Sequence, residues 1–403
     1  MIPNHWHLST LGDISTLCTG NSINKKLKLE KYYGQTSGIT YIATKDIDFD
    51  NTINYDTNIK IPESDDYKIA PANTALLCIE GGSAGRKIGF TNQPVCFVNK
   101  LCAFITTTVH SKFIYYYLQT LDFIKQFNDR KHGLIGGVPL KDLSSIEIPV
   151  PPLDEQQKIV EIIDSLFEKL NRARVLAQNV IDNYELRFLV ILHRAINGKL
   201  TNSNTNNWQE TILKDLLFPM QSVKPDGEYL KYIDIESIDN TNQKIREAKI
   251  IKTEEASSRA SRRLEKYNVL FSLVRPYLRN IAIVEEEYKD CIASTGFYVC
   301  RCKEDILPKY LYNVLRSKYA IDYYQQFIKG FNSPSIRTRE FLSLEVKLPT
   351  IEEQKEIVRI LDSLLSKEQR AKEIAEQILQ EIDLLKKTIL ARAFRGKFYL
   401  RYK

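Results

Sequence analysis

The chain has 403 residues, of which 43% are apolar and 27% charged, with only 16 Gly and 14 Pro. That length suggests two or three folded units, and the composition excludes a disordered, collagen-like or low-complexity chain. Net charge is +7, divided as +1 over 1–147, 0 over 148–200, +2 over 201–345 and +4 over 346–403. So mild a bulk charge permits a nucleic-acid partner only through local patches.

Residues 1–7 lack the charged-then-apolar shape of a signal peptide, and no run approaches the roughly 18 apolar residues of a membrane span. A soluble, cytoplasmic protein is expected, with no membrane partner. The seven cysteines (Cys18, Cys78, Cys96, Cys102, Cys291, Cys300, Cys302) are odd in number and form no C-x2-C pair. They read as buried, reduced thiols, and the five scattered histidines suggest no metal ligand set.

In chain order, β-rich pieces at 38–43, 75–79 and 95–107 alternate with turn signals, and a helical stretch follows at 113–127. From Leu153 to Asn197 there is neither Gly nor Pro, after a Pro151-Pro152 stop and before Gly198 as the expected C-cap. Apolar residues Ile159, Ile163, Leu166, Leu170, Ala173, Ala177, Val180 and Tyr184 are spaced alternately by four and three, a coiled-coil pattern. The Asn/Ser/Thr-rich stretch 201–207 reads as a linker. Strand-like runs at 269–274 and 295–300 and a helical stretch at 310–327 come next. A second unbroken helical run extends from Ile351 to Arg395, before Gly396. Forty-five helical residues span about 67 Å.

The chain is written twice. Aligned without gaps, 151–200 and 349–398 share 20 of 50 residues. Pro151-Pro152-Leu153-Asp154-Glu155-Gln156-Gln157-Lys158-Ile159-Val160 is answered by Pro349-Thr350-Ile351-Glu352-Glu353-Gln354-Lys355-Glu356-Ile357-Val358. The preceding segments match loosely, Trp6 with Trp208, Tyr41-Ile42 with Tyr232-Ile233, and Leu143 with Phe341. Four segments follow: a variable mixed α/β domain at 1–147, a long helix at 148–200, a second variable domain at 201–345 and a second long helix at 346–403. The expected fold is α+β, two such domains in tandem separated by two antiparallel coiled-coil helices with pseudo-two-fold symmetry.

No catalytic constellation emerges. Val150-Pro151-Pro152-Leu153 lacks the flanks of an adenine-methyltransferase loop, and Asp226, Glu228 and Lys231 miss the spacing of a metal-dependent nuclease. The 81–87 stretch, rich in glycine, lacks the G-K-S/T ending of a phosphate loop. Basic loops are present instead. Lys25 and Lys26, Arg86 and Lys87, and Lys131 and His132 mark the first domain. Arg262 and Arg263, the Arg275, Tyr277, Arg279 and Asn280 cluster, and Arg337 mark the second. Arg and Lys can neutralise phosphate or read guanine, and Asn can read adenine. The 275–280 loop aligns with the loop of Arg86, which points to a paired DNA site.

The layout resembles the specificity subunit of type I restriction–modification systems. The resemblance rests on the duplicated P-x-L/I-x-E-Q-x-x-I-V helix starts and the Leu-x-x-Ala-x-x-Gly-Lys exits at 192–199 and 390–397. It implies a non-catalytic subunit whose two target-recognition domains each read one half of a bipartite double-stranded DNA target. It further implies two docked methyltransferase subunits and added restriction subunits, with S-adenosylmethionine, ATP and Mg on those partners and no cofactor here. Gln156 and Gln354 in the helix starts, with Phe167, Phe188 and Leu365 on widened apolar stripes, are the expected partner contacts. The rival reading is a coiled-coil scaffold without sequence-specific DNA binding.

Overall fold

A computed structural model describes residues 2–133, 136–201, 205–330 and 333–398. Parts of the 201–207 linker, of the loop after His132 and of the C-terminal segment therefore lie outside the described residues. The chain divides into two compact units, Met1–Ala177 with Gln377–Lys403, and Gln178–Glu376. Each unit holds one variable domain, the near part of the helix that follows it, and part of the other long helix.

In the first unit, strand His7–Thr10 pairs antiparallel with Glu147–Val150, which ties the start of the domain to its end. One four-stranded sheet runs in the order Thr16–Thr19, Leu101–Ile105, Ala75–Cys78, Ile88–Phe90. Another runs Lys60–Ile61, Ile39–Ile42, Val95–Phe97, Ile69–Ala70, with its two central strands parallel. The second unit repeats the scheme. Gln209–Ile212 pairs with Glu345–Leu348, and Tyr229–Ile233 lies parallel to Ile292–Ser294. Val269–Ser272 sits between Ile281–Ile283 and Phe297–Cys300. Tyr41 pairs with Cys96 and Tyr232 with Ile292, so the sequence match of Tyr41 with Tyr232 falls on equivalent strands.

Each expected domain helix is two helices. Ser111–Tyr117 gives way to Leu121–Asp129 at Thr120, whose hydroxyl donates to the Tyr117 carbonyl and accepts the Phe123 N–H. Pro308–Arg316 gives way to Lys318–Gln325 at Ser317, which does the same with Val314 and Ala320. A hydroxyl that satisfies backbone groups on both sides of a break makes the break cheap.

The first long helix, Leu153–Asp182, stops one residue short of a second, Tyr184–Ile196. The uninterrupted helix expected to Asn197 is thus corrected at Asn183. The Arg187 Nη2 donates to the Val180 carbonyl, which in an unbroken helix would accept the Tyr184 N–H. The repeat places Leu385 where Arg187 stands, and there Ile351–Ala393 runs through without a break. Gly198 and Gly396 both have φ of 66° and close their helices with matching bonds, Lys199 N–H to Arg194 O and Lys397 N–H to Arg392 O. Both ends are Schellman caps, which need the left-handed region that glycine enters freely.

The long helices run antiparallel within each unit. In the first, Arg174 pairs with Asp383, and Lys386 Nζ donates to Asn171 at 2.8 Å. In the second, Arg187 Nε donates to Glu368 at 2.6 Å and Tyr184 to Gln369 at 2.9 Å. Rising numbers on one helix meet falling numbers on the other. The core of the first unit joins Phe113, Phe123 and Phe127 to Ile159, Ile163 and Phe394. That of the second joins Tyr310, Tyr324 and Phe341 to Leu192, Ile357 and Leu361. Among the described residues no helix is long and apolar enough to cross a membrane, and no cluster of three or more His, Cys, Asp or Glu could hold a metal ion. The cysteines are free thiols, five of them buried.

Candidate nucleic-acid interface and helix faces

Each domain brings two loops together by backbone bonds. In the first unit the 81–87 loop joins strands Ala75–Cys78 and Ile88–Phe90. Gly81 N–H donates to Gly136 O at 3.2 Å and Val138 N–H to Ile79 O at 3.0 Å, so the loop carrying Lys131 and His132 lies alongside. In the second unit Arg275 N–H donates to Pro334 O at 2.7 Å and Ile336 N–H to Leu273 O at 3.0 Å. The same pair of loops is built twice, from different residues.

Side chains on the first pair are cationic and supported by rings. Arg86 is exposed, bonds the Gly82 carbonyl, and lies 5.4 Å from the Phe49 ring centre. Lys87 Nζ lies 5.0 Å from the same ring and donates to Thr44 O at 3.1 Å. Lys131 stands over Phe127 at 5.5 Å, and His132 bonds Asp142 at 2.9 Å. The tight approach of the loop to Phe127 requires Gly85, whose φ is 76° and whose added Cβ would lie 2.6 Å from that ring. Phe49, 62% exposed in a polar turn, is a member of the site that the basic clusters alone do not reveal. An exposed aromatic between two acids, Asp48 and Asp50, was the available signal.

The second pair presents Arg275, Tyr277 and Arg337. Arg275 and Arg279 both adopt left-handed backbone, with φ of 48° and 54°. Non-glycine residues rarely do so, and such strain gathers at functional sites. Tyr277 and Arg337 are exposed.

Several expected contacts are corrected. Asn280 is only 6% exposed, beneath the loop, and does not offer its amide to a base. Arg279 is spent on Glu185 of the helix at 2.5 Å. Arg262 and Arg263 lie on strand Ala260–Arg263, bonded to Ser222 and Asp290, apart from the loop pair in the backbone pairing. Lys25 and Lys26 are exposed on the short helix Lys25–Leu27; among the described residues Lys26 pairs only with Glu30, at 4.0 Å.

The helix contacts change more. Gln156 and Gln354 are buried and bonded internally. Gln156 accepts the His110 N–H and donates to Pro151 O, while Gln354 accepts the Leu307 N–H and donates to Asp305 O and Pro349 O. These amides lock each helix start to its own domain and are not docking contacts. Phe188 is likewise buried in the second unit's core, and Phe167 and Leu365 pack against the cores of their units. The exposed apolar residues are others. Leu176 and Leu384 are 67% and 65% exposed in the first unit, and Leu186 and Ile374 61% and 47% in the second. Leu176 corresponds by repeat to Ile374 and Leu186 to Leu384, so each unit exposes apolar side chains at equivalent helix positions.

Comparison with known proteins agrees with this geometry. The family profile described as type I restriction modification DNA specificity domain matches residues 3–179 and again 206–382. The chain is 22% identical to the type I restriction enzyme EcoBI specificity subunit of Escherichia coli, over 100% of the chain and 88% of that protein. It is 21% identical to the EcoKI specificity subunit of Escherichia coli K12, over 100% and 91%. Its fold is similar to that of the HsdS subunit from Thermoanaerobacter tengcongensis, with a TM-score of 0.67 at 17% identity over 98% of each chain. A structure of a type I R-M system matches with a TM-score of 0.72, also at 17% identity, over 99% of this chain and 100% of that one.

Proposed function

The chain belongs to the family of type I restriction–modification specificity subunits, and on that premise we propose that its two loop pairs each read one half of a bipartite duplex target. The observation that carries this reading is the loop pair itself: built twice on one scaffold, cationic both times, and made of different residues. Equal scaffolds with unequal loops suit an asymmetric target. Arg86, Lys87 and Lys131 serve the first half-site, Arg275, Tyr277 and Arg337 the second, through phosphate contacts and base edges in the grooves.

Catalysis belongs to partners. The exposed apolar residues at equivalent helix positions, Leu176 and Leu384 in one unit and Leu186 and Ile374 in the other, suit two copies of one methyltransferase subunit. Those subunits would bring S-adenosylmethionine, and restriction subunits would bring ATP and Mg-dependent activity. The test is duplex binding by the chain with its methyltransferase partner, followed against salt. Arg86→Ala with Lys87→Ala should lower affinity and reduce the salt slope by about 1 for each phosphate no longer neutralised. Binding unchanged in a folded variant would remove these residues from the interface.

A further inference from the structure

Each unit holds a partly buried cation that, among the described residues, has no carboxylate at ion-pair distance. In the second unit a cavity of about 1090 Å³ opens between the 238–245 hairpin, helix Pro308–Arg316 and the long helices. On its wall the Arg316 guanidinium lies 4.6 Å from the Phe188 ring centre and 4.4 Å from that of Tyr312. Its Nε donates to Gln243, held at φ 54°, and its Nη1 donates to Asn313 at 3.2 Å. Among the described residues no carboxylate lies at ion-pair distance from it: Glu185 is taken by Arg279, and the other acids that line the cavity, Asp362 among them, do not reach it. Burial holds the guanidinium below the usual arginine value, opposed in part by Tyr312, Tyr184 and Glu185.

The first unit has Gln119 at the position of Arg316; its Oε1 accepts from Asn51 (φ 72°) at 3.0 Å, whereas Arg316 donates to Gln243. The positive charge is nevertheless present. Lys386 stands at the repeat position of Phe188, its Nζ 5.4 Å from the Phe167 ring and 2.8 Å from Asn171 Oδ1. It too has no carboxylate at ion-pair distance among the described residues; Asp383 is taken by Arg174. Burial, and then Arg174, lower its pKa against the opposing pull of Asp383 and Asp50. The cation has moved from the domain wall to the helix wall, yet each unit keeps one, seated on a ring and held by an amide.

A partly buried cation with no ion-pair partner gains from a carboxylate that arrives with a docked protein and excludes water around it. A single acidic group that meets both units explains why the charge recurs although the residues differ. We propose that each methyltransferase subunit inserts an acidic side chain beside the long helices, received by Lys386 in the first unit and by Arg316 in the second. This rests on the two-partner reading above.

The test is calorimetric titration of the purified methyltransferase subunit of the same system into the full-length chain. Wild type should bind two copies. Arg316→Gln, which copies the first unit's Gln119, should weaken one site about 10- to 100-fold and spare the other. Lys386→Met should do the converse. Arg316→Lys keeps the charge and should retain most of the affinity that Arg316→Gln loses. Two full-affinity sites in both charge-removing variants would overturn the proposal and leave two-partner docking standing. Equal losses in Arg316→Lys and Arg316→Gln would also overturn it, as would lost duplex binding with partner binding intact, which would assign the cation to a phosphate. A wild-type chain that binds no partner would overturn the two-partner reading and this proposal together.

Discussion

Gln156 Oε1 accepts the backbone N–H of His110 at 2.8 Å, and 198 residues later Gln354 Oε1 accepts that of Leu307 at the same distance. Each amide also donates to the proline carbonyl five residues before it. The shared Gln of the two helix starts is therefore a joint between helix and domain. Gln354→Ala should cost about 2 to 4 kcal/mol, because it strands a buried backbone donor and two acceptors. Gln354→Glu should cost at least as much, since a buried carboxylate keeps the acceptor for Leu307 but turns an oxygen toward the Asp305 and Pro349 carbonyls. Urea unfolding checks both, and an alanine variant as stable as wild type would contradict the assignment.

His110 gives the first unit a pH-dependent contribution at a position where the second has Leu307. Burial, helped by Lys112 and opposed by Asp164 and Glu161, lowers its pKa below 6.5, and among the described residues its Nδ1 has no hydrogen-bond partner. The folded state thus resists a proton that the unfolded chain accepts. This contribution is fully present above about pH 6.5 and is lost as pH falls toward the folded-state value. Thermal unfolding between pH 7.5 and 5.5 should show the fall, and His110→Leu should flatten it. An equal slope in that variant would place the pH dependence elsewhere.

The break at Asn183 follows from Arg187, which bonds both Val180 O and Glu368. At the repeat positions the other copy has Leu385 and Leu170. Arg187→Leu alone should destabilise the chain by about 1 to 3 kcal/mol, by leaving the half-buried Glu368 unpaired. Adding Glu368→Leu should recover most of that loss. Failure of the double variant to recover would mean that the ion pair is not what the break serves.

The repeat, the domain order and the long helices were legible in the sequence because they are periodic and duplicated. The helix ends were legible for the same reason: only Gly198 and Gly396 could take the left-handed caps. The break at Asn183 was hidden because it depends on one arginine reaching back to a carbonyl, which no apolar pattern records. Gln156 and Gln354 were misplaced because a polar residue on a helix reads as exposed until the domain that buries it is seen. Phe188 was misjudged in the opposite way, since a widened apolar stripe does not say which of its members the parent domain covers. The basic loops were legible as charge, but the diversion of Arg279 to Glu185 and the burial of Asn280 depend on tertiary placement.

The apolar residues that remain exposed make a distinct prediction. Leu186→Asp and Leu384→Asp should each abolish binding of one methyltransferase copy and leave stability within about 0.5 kcal/mol, as exposed substitutions do. Phe188→Asp should instead unfold the second unit. Pull-down stoichiometry together with thermal melts separates the two, and full partner retention by both leucine variants would remove these faces from the docking surface.

The central claim is that each domain reads its own half of a bipartite target. Methylation-sensitive sequencing of DNA modified by the chain with its methyltransferase partner tests this most directly. Wild type should give two short motifs separated by a fixed gap. Arg86→Ala with Lys87→Ala should relax one motif and leave the other intact, and Arg275→Ala with Arg337→Ala should do the reverse. A single continuous motif, or one pair of variants relaxing both halves equally, would contradict the account.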